Sequence, residues 1–375
     1  MSDMSVRTDF SRPVHALLGV PFDGVTLDQA AARLRWAMSH RERCLWVTPN
    51  INFVVAARDD AAFRSAILKA DLSTVDGMHL VWLAKLMGIP LPERVSGSDV
   101  FDALCKSSIN EHRHRIYLFG GEDGAARAAH EALNAAGGAV QSVGYLSPGV
   151  GSAKDLSRPA FLSAIGDAKA DFLMVSLGAV KGHQWIDSNW RLLDVPVVSH
   201  LGAVINFLAG SVRRAPVWMQ KSGLEWAWRI QQENSLWKRY FNDGIKLFSI
   251  LRESSFSYIK LKRRWQSSYL QHPGQATVSA QDGQLVWVIE GVFTRENVEG
   301  LRNACETLNR NPSNVHIDAS RLLWLDSAAM GLLLLLCAHQ ARSGKRLSWG
   351  ADAPREVFVA HGCGHVLNST QVPHP

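Results

Sequence analysis

Four short clusters carry the residue types from which chemistry can be built. Thr48-Pro49-Asn50 follows the apolar run Cys44–Val47, so its hydroxyl and amide are either helix caps or ligands presented at a strand end. Asp76-Gly77 stands just ahead of an apolar stretch around Trp82. Asp76 is a second cap, or a general base if its pocket raises its pKa. Phe119-Gly120-Gly121-Glu122-Asp123-Gly124 places glycines between a strand and a helix. Such a run makes a tight turn, or lets backbone approach a phosphate at the positive end of the helix; its spacing is not the dinucleotide fingerprint. Arg213-Arg214-Ala215-Pro216 sets two guanidiniums beside a rigid turn, which suits a diphosphate clamp or an ordinary solvated charge pair. The histidines imply no metal: His112 and His114 have no third ligand at a helical spacing, and Gly362 and Gly364 interrupt any helix joining His361 to His365.

These clusters need a scaffold, and the pattern around them repeats an apolar strand followed by a helix. Strands are expected at Cys44–Val47, Arg115–Phe119, Phe172–Leu177 and Val195–His200, each run ending at a polar residue or glycine. Helices are expected at Leu27–Ser39, Ala61–Ala70, His79–Met87, Val100–Asn110, Gly124–Ala135 and Gly182–Arg191. The alternation predicts βαβ units around a mostly parallel sheet, with functional residues at the carboxyl ends of its strands. Pro148–Pro159 reads as a surface connection. After a polar stretch, Ser267–Asp282, the alternation resumes on a smaller scale. Strands are expected at Leu285–Glu290, Val315–Asp318 and Arg346–Trp349, and helices at Arg295–Asn309, Ser327–Arg342 and Ala353–His361.

The chain has 375 residues, 47% hydrophobic and 20% charged, which excludes a disordered protein and suits two domains. Its net charge of +6 belongs to one segment: from Trp237 to Arg264 eight basic residues face only Asp243 and Glu253. Trp237, Tyr240, Phe241, Ile245, Phe248, Leu251, Phe256 and Ile259 recur there at roughly helical intervals. An amphipathic helix that meets anionic headgroups is expected, or one that packs on the protein itself. No nucleic-acid reading element accompanies the charge. The five cysteines have no pairing or ligand spacing and read as core residues of a reducing compartment. The first residues carry no apolar leader, and the run around Leu332–Leu336 is too short to span a membrane.

The ordered set of motifs says more than any one of them. Thr48-Pro49-Asn50, Asp76-Gly77, Pro92-Glu93-Arg94-Val95-Ser96-Gly97-Ser98-Asp99, Phe119-Gly120-Gly121, Gly144-Tyr145 and Leu177-Gly178 are followed by Phe207-Leu208-Ala209-Gly210, Arg214-Ala215-Pro216, and Gly223-Leu224-Glu225-Trp226 through Arg229, Glu233, Arg239 and Tyr240. In this order they resemble the WecG/TagA/CpsF glycosyltransferases over residues 15–265. The resemblance implies a Rossmann-like, mostly parallel sheet and an inverting transfer that uses no metal or other cofactor. The sugar, of the N-acetylmannosamine type or a uronic acid, would pass from a UDP-sugar to a polyprenyl-diphosphate-linked glycan. By position it assigns Asp76 as base, with Thr48 and Asn50 beside it, and Arg94, Asp99, Gly120, Gly121, Tyr145, Lys181, His183, Asn206 and Arg214 to substrate binding. Two departures stand out: Gly182-His183 where the family has Gln-Glu, and Ile205-Asn206 where it has Phe-Asp. Losing two carboxylates would ease binding of an acidic donor.

The smaller part, with Val315-His316-Ile317-Asp318 and Asp326-Ser327-Ala328-Ala329-Met330-Gly331-Leu332, resembles the STAS domain. That resemblance implies a small α/β protein-contact module, not a second enzyme. The family's phosphoacceptor position is Ala328 here, and Ser327 is expected to cap the helix. The expected divisions are 1–240 for the transferase core, 241–267 for a basic appendage, 268–282 for a linker and 283–370 for the STAS-like domain. The expected place is cytoplasmic, on the inner face of the bacterial cytoplasmic membrane, with a protein partner on the STAS-like domain and no nucleic acid. The alternative is a catalytically silent scaffold or regulatory protein of polysaccharide assembly.

Overall fold

A computed structural model describes residues 8–107, 113–233, 236–265, 268, 270–281, 284–310 and 312–368. Asn110, His112, Ser267, Asp282 and the last two residues of the 283–370 segment lie outside them. The chain forms two compact units, Val25–Trp82 with Pro92–Asp243, and Met1–Gly24 with Leu83–Leu91 and Gly244–Pro375. The strands in chain order begin with the hairpin β1 (Val14–Leu17) and β2 (Val20–Asp23). Next come β3 (Cys44–Val47), β4 (Leu72–Ser73), β5 (His114–Gly120), β6 (Val140–Leu146), β7 (Phe172–Ser176) and β8 (Val197–His200). The last are β9 (Gln275–Gln281), β10 (Gln284–Phe293), β11 (Val315–Asp318), β12 (Leu322–Leu325) and β13 (Leu347–Trp349).

The first unit is built on one sheet of order β4-β3-β8-β7-β5-β6, all of whose neighbours run parallel. Alternate residues of its strands enter two separate cores. Cys44, Trp46, Ile116, Leu118, Phe172 and Met174 face one; Leu45, Val47, Tyr117, Phe119, Leu173 and Val175 face the other. Burial of both faces is why these strands read as unbroken apolar runs. Each full burial of such a large side chain contributes about 1.5–3 kcal/mol. β4 has too few residues, and β6 too many polar ones, to show in such a pattern. Chain order places the crevice: β5 leads outward to β6 while β7 leads inward to β8, so the switch point lies between the carboxyl ends of β5 and β7.

The second unit carries a sheet of order β12-β10-β11-β13, with β9 antiparallel to β10. The register of β10 shifts after Gly291, whose φ of 79° is one that side chains resist. Residues 284–290 pair with β9 and the last three with β12. Residues 275–281 of the stretch expected as linker are therefore a strand. Its sequence, QATVSAQ, lies exposed along nearly its whole length, so no alternation marked it.

The helix Ser327–Arg342 has 14 of its 16 residues buried. Much of its cover is the hairpin from the other end of the chain. Val14, Ala16 and Leu17 are at most 2% exposed. His15 Nδ1 lies 3.1 Å from Ser327 Oγ, and Arg342 donates to the Thr8 hydroxyl at 2.8 Å. Thr8 Oγ1 also meets His339 Nδ1 at 3.1 Å. The hairpin's own ends are tied by Arg12, which donates to Asp23 at 3.0 and 2.6 Å in a buried ion pair. Compactness thus groups residues 8–23 with the C-terminal domain and divides the long helix Leu236–Trp265 at residue 243. The helix cap also differs: Asp326 accepts from the N–H groups of Ala328 and Ala329 at 2.8 and 2.9 Å, leaving Ser327 for His15.

A Cβ on Gly331 would stand 2.9 Å from the Val14 carbonyl oxygen, a backbone atom that cannot swing aside. Gly331→Ala is expected to lower stability by about 1–3 kcal/mol and to loosen the hairpin. Denaturant unfolding measures the first and hydrogen exchange across residues 14–23 the second; unchanged protection there would refute the packing.

Candidate active site

Main-chain bonds bring the site loops together before any side chain acts. The Asp76 N–H donates to the Pro49 carbonyl at 3.0 Å, tying the loop after β4 to the loop after β3. The Val95 N–H donates to the Val75 carbonyl at 2.9 Å, which delivers Arg94 beside Asp76. Ser96 then caps the helix Gly97–Lys106 and donates its hydroxyl to Asp99 at 2.7 Å. Gly97 packs so closely that a Cβ there would sit 2.6 Å from Leu201 and 3.4 Å from Thr48.

Arg94 is the hub. Its Nη2 donates to Asp99 at 2.6 Å and to Gln220 at 3.0 Å. Its Nη1 donates to Glu225 at 3.3 Å and stands 3.9 Å from Asp76. Arg214 bonds Asp99 and Asp102, each at 2.5 Å, and Arg229 lies 3.9 Å from Glu225. Burial pushes the Asp76 carboxyl up to about 7, and the Glu225 charge adds to it; Arg94 and Arg229 oppose. The carboxyl keeps 31% of its surface open, as a group on a cleft floor does, so a proton acceptor near neutrality stands within reach of a ligand. Asp99 goes the other way. Burial works against its charge, but the Ser96 bond and the guanidiniums of Arg94 and Arg214 hold it below the usual carboxylate range.

Asp76, Arg94, Asp99 and Arg214 therefore form one network, with Thr48 and Asn50 at its β3 side. Asn50 is also a working cap, its Oδ1 accepting from the Phe53 N–H at 3.3 Å. Gly120 and Gly121 lie at the switch point. A Cβ on Gly120 would be 2.3 Å from the Ser176 carbonyl oxygen, and the Gly121 N–H donates to that oxygen at 2.7 Å. Tyr145 is 40% exposed at the end of β6. Lys181 Nζ donates to the Gly151 carbonyl at 3.1 Å, and the Oδ1 of Asn206 is buried without a partner among the described residues.

His183 turns inward. It is 2% exposed, its ring meets Phe53 and Phe63 edge-on at 5.1 and 5.5 Å, and burial pulls it down to about 4. Its neighbour Gly182 leaves room for His200, whose Cδ2 would stand 2.2 Å from a Cβ there. Sequence reasoning gave no role to Glu225, Gln220, Asp102 or His200. Glu225 lay within a recognised block, the only signal among them.

Comparison with known proteins places the chain that carries this network. The family model described as the glycosyl transferase WecG/TagA/CpsF family matches residues 15–260. The chain belongs to that family. A second model, described as an Mlab STAS domain, matches residues 276–365, so this WecG/TagA/CpsF chain is fused to a STAS-like domain. Its curated relatives include N-acetylglucosaminyldiphosphoundecaprenol N-acetyl-beta-D-mannosaminyltransferases. The Bacillus subtilis (strain 168) protein is 27% identical over 55% of this chain and 78% of its own length. The Staphylococcus aureus (strain MW2) protein is 25% identical over 60% of this chain and 85% of its own. Among the described residues of the WecG/TagA/CpsF chain, no three His, Cys, Asp or Glu side chains are grouped to hold a metal ion.

The raised Asp76 pKa has a consequence for stability. From its ordinary value of 3.8 up to about 7, the folded chain holds a proton that the unfolded chain has released. The stability this adds is full below the unfolded pKa and is lost as pH rises through the folded one. Asparagine suffers no such loss. The Asp76→Asn protein should therefore melt above the wild type beyond pH 8, with the gap narrowing toward pH 4. Thermal melts across that range check this, and equal melting temperatures at pH 8 would count against the burial of a charge at this site.

Proposed function

We propose that the larger domain is an inverting, metal-independent glycosyltransferase acting on a UDP-sugar and a polyprenyl-diphosphate-linked glycan in cell-envelope or exopolysaccharide assembly. The observation that carries the reading is Asp76, a carboxyl poised near neutrality at the open end of a parallel sheet. As an acceptor hydroxyl attacks the anomeric carbon, Asp76 takes the hydroxyl proton. The new carbon–oxygen bond forms as the old one breaks, and UDP departs with its electron pair. Thr48 and Asn50 flank the base, while Arg94, Asp99 and Arg214 frame the cleft. Gly120, Gly121, Tyr145, Lys181 and Asn206 form the nucleotide side. His183 supports that side from within, through Phe53 and Phe63.

The names of the relatives, which pair an N-acetylmannosaminyl donor with a diphosphoundecaprenol acceptor, support the substrate classes. A groove of about 470 Å³, lined by Ser98, Asp102, Phe207, Gly210, Arg213 and Arg214, suits a diphosphate. Arg214 is already occupied by two carboxylates, so the exposed Arg213 is the cation that would meet it. The donor is an N-acetylmannosamine type or a uronic acid, which rates with UDP-N-acetylmannosamine and UDP-glucuronate tell apart.

The helix Leu236–Trp265 supports contact with the membrane surface. Ile250, Tyr258 and Leu261 on one side are at most 6% exposed. On the other, Trp237, Phe241, Ile245, Phe248 and Phe256 are 48–73% exposed, among basic residues. Among the described residues no helix is long and apolar enough to cross a membrane. Such a helix lies in the headgroup layer, here the inner face of the cytoplasmic membrane, where the acceptor would be. A protein partner of the STAS-like domain would dock away from the helix face that the hairpin covers.

Asp76→Asn is expected to lower transfer at least 100-fold, the order of a lost general base, while UDP still binds by calorimetry. A wild type that transfers no sugar from any UDP-sugar to a synthetic polyprenyl-diphosphate glycan would favour the scaffold reading. The double variant Phe248→Glu with Phe256→Glu should lose most binding to anionic vesicles in a sedimentation assay while its melting temperature holds. Undiminished sedimentation would remove the helix from the membrane contact.

A further inference from the structure

The cluster around Asp76 is unbalanced in charge. Asp76, Asp99, Asp102 and Glu225 are carboxylates, and among the described residues Arg94, Arg214 and Arg229 are the guanidiniums within ion-pair distance of them. One carboxylate exceeds the cations, and geometry decides which. Asp99 has two short guanidinium bonds and the Ser96 hydroxyl. Asp102 has Arg214 at 2.5 Å. Glu225 has Arg94 at 3.3 Å and Arg229 at 3.9 Å. Among the described residues Asp76 has only the 3.9 Å approach of Arg94 Nη1, the same nitrogen that donates to Glu225. Nη2 is already engaged by Asp99 and Gln220.

We propose that Glu225 is a positioning residue for sugar transfer, drawing Arg94 away from Asp76 so that Asp76 is the carboxylate of the cluster that takes the acceptor's proton. This rests on the transferase reading above. An aspartate paired tightly to arginine is a poor base, because the cation stabilises its ionised form. Glu225 prevents that pairing by occupying Nη1 and adds its own negative charge nearby. Both effects act in one direction. The charged groups that face Asp76 are Arg94 and Asp99 from the segment beginning the helix Gly97–Lys106, and Glu225 and Arg229 from the helix Glu225–Gln232. The arrangement brings a residue 131 positions from Arg94 into control of the base. It also makes the helix Glu225–Gln232, which contributes no base of its own, part of what the transfer requires.

The test reads Asp76 directly, in the full-length protein with carbon-13-labelled aspartate, its signal identified by its absence from Asp76→Asn. In Glu225→Gln the Asp76 titration midpoint should fall by on the order of one pH unit or more. In Arg229→Gln it should rise, since that cation opposes the effect. In rate measurements the acidic limb of kcat/KM against pH should move with each midpoint, which a merely structural lesion would not produce. Thermal melts establish folding, and Glu225→Asp, which keeps the charge but shortens the reach to Nη1 and should also lower the midpoint, carries the test if Glu225→Gln fails to fold. A midpoint unmoved in folded Glu225→Gln, or one that does not rise in Arg229→Gln, overturns the role of Glu225 even in a chain that transfers sugar. Midpoints that move as expected in a chain that transfers none overturn the reaction instead.

Discussion

A single guanidinium with more carboxylates around it than it can serve is the constraint on which the site depends. Arg94 is placed by the main-chain bond of its neighbour Val95 and held by Asp99, Gln220 and Glu225. Its side chain is 11% exposed, so water does little to dilute these interactions. An arginine so placed must satisfy some carboxylates fully and others poorly. The unequal division gives two aspartates of one cluster opposite characters. Asp99, held below the usual carboxylate range, braces Arg94 and Arg214, while Asp76 is pushed up to about 7. Lysine could not replace the hub, because one ammonium lacks the fork that binds partners on two sides at fixed angles.

That cluster can exist only because a parallel sheet brings its members to one edge. The loops after β3 and β4 supply Thr48, Asn50 and Asp76, and the turn at Gly120 closes directly on the end of β7. The two cores on either face hold the strands in register, so the loop ends inherit their rigidity. The pocket is assembled by backbone geometry first and tuned by charge afterwards. The stability lost by leaving one carboxylate poorly paired is small beside the apolar area buried beneath it.

Much of this was legible in the amino-acid order, for identifiable reasons. Strands such as Cys44–Val47 and Phe172–Ser176, buried on both faces, announce themselves as apolar runs, and the helix Ser327–Arg342 does so as well. β1, β2, β4 and β9 were silent because they are short, lie at edges, or draw partners from far along the chain. The ordered motifs led to Asp76, Arg94, Asp99 and Arg214. They did not show that Glu225 governs Arg94, since that contact closes only in three dimensions. His183 was placed by position in a motif, but one residue of helix turns a side chain by about 100°, and it points into the aromatic layer of Phe53 and Phe63. Asp326 and Ser327 are both good caps, and local preference could not choose between them. The choice was made by His15, 312 residues away.

That last distance has a consequence for how the protein is made. The hairpin leaves the ribosome about 300 residues before the helix that buries it, roughly 15–60 s earlier at ordinary rates of synthesis. During that interval the apolar residues Val14, Ala16, Leu17 and Phe22 lack the helix that packs on them. The parallel-sheet domain between the two can complete its own cores meanwhile, because none of its strands needs the hairpin. A chain broken off before Ser327 would thus combine a finished catalytic fold with an uncovered sticky end.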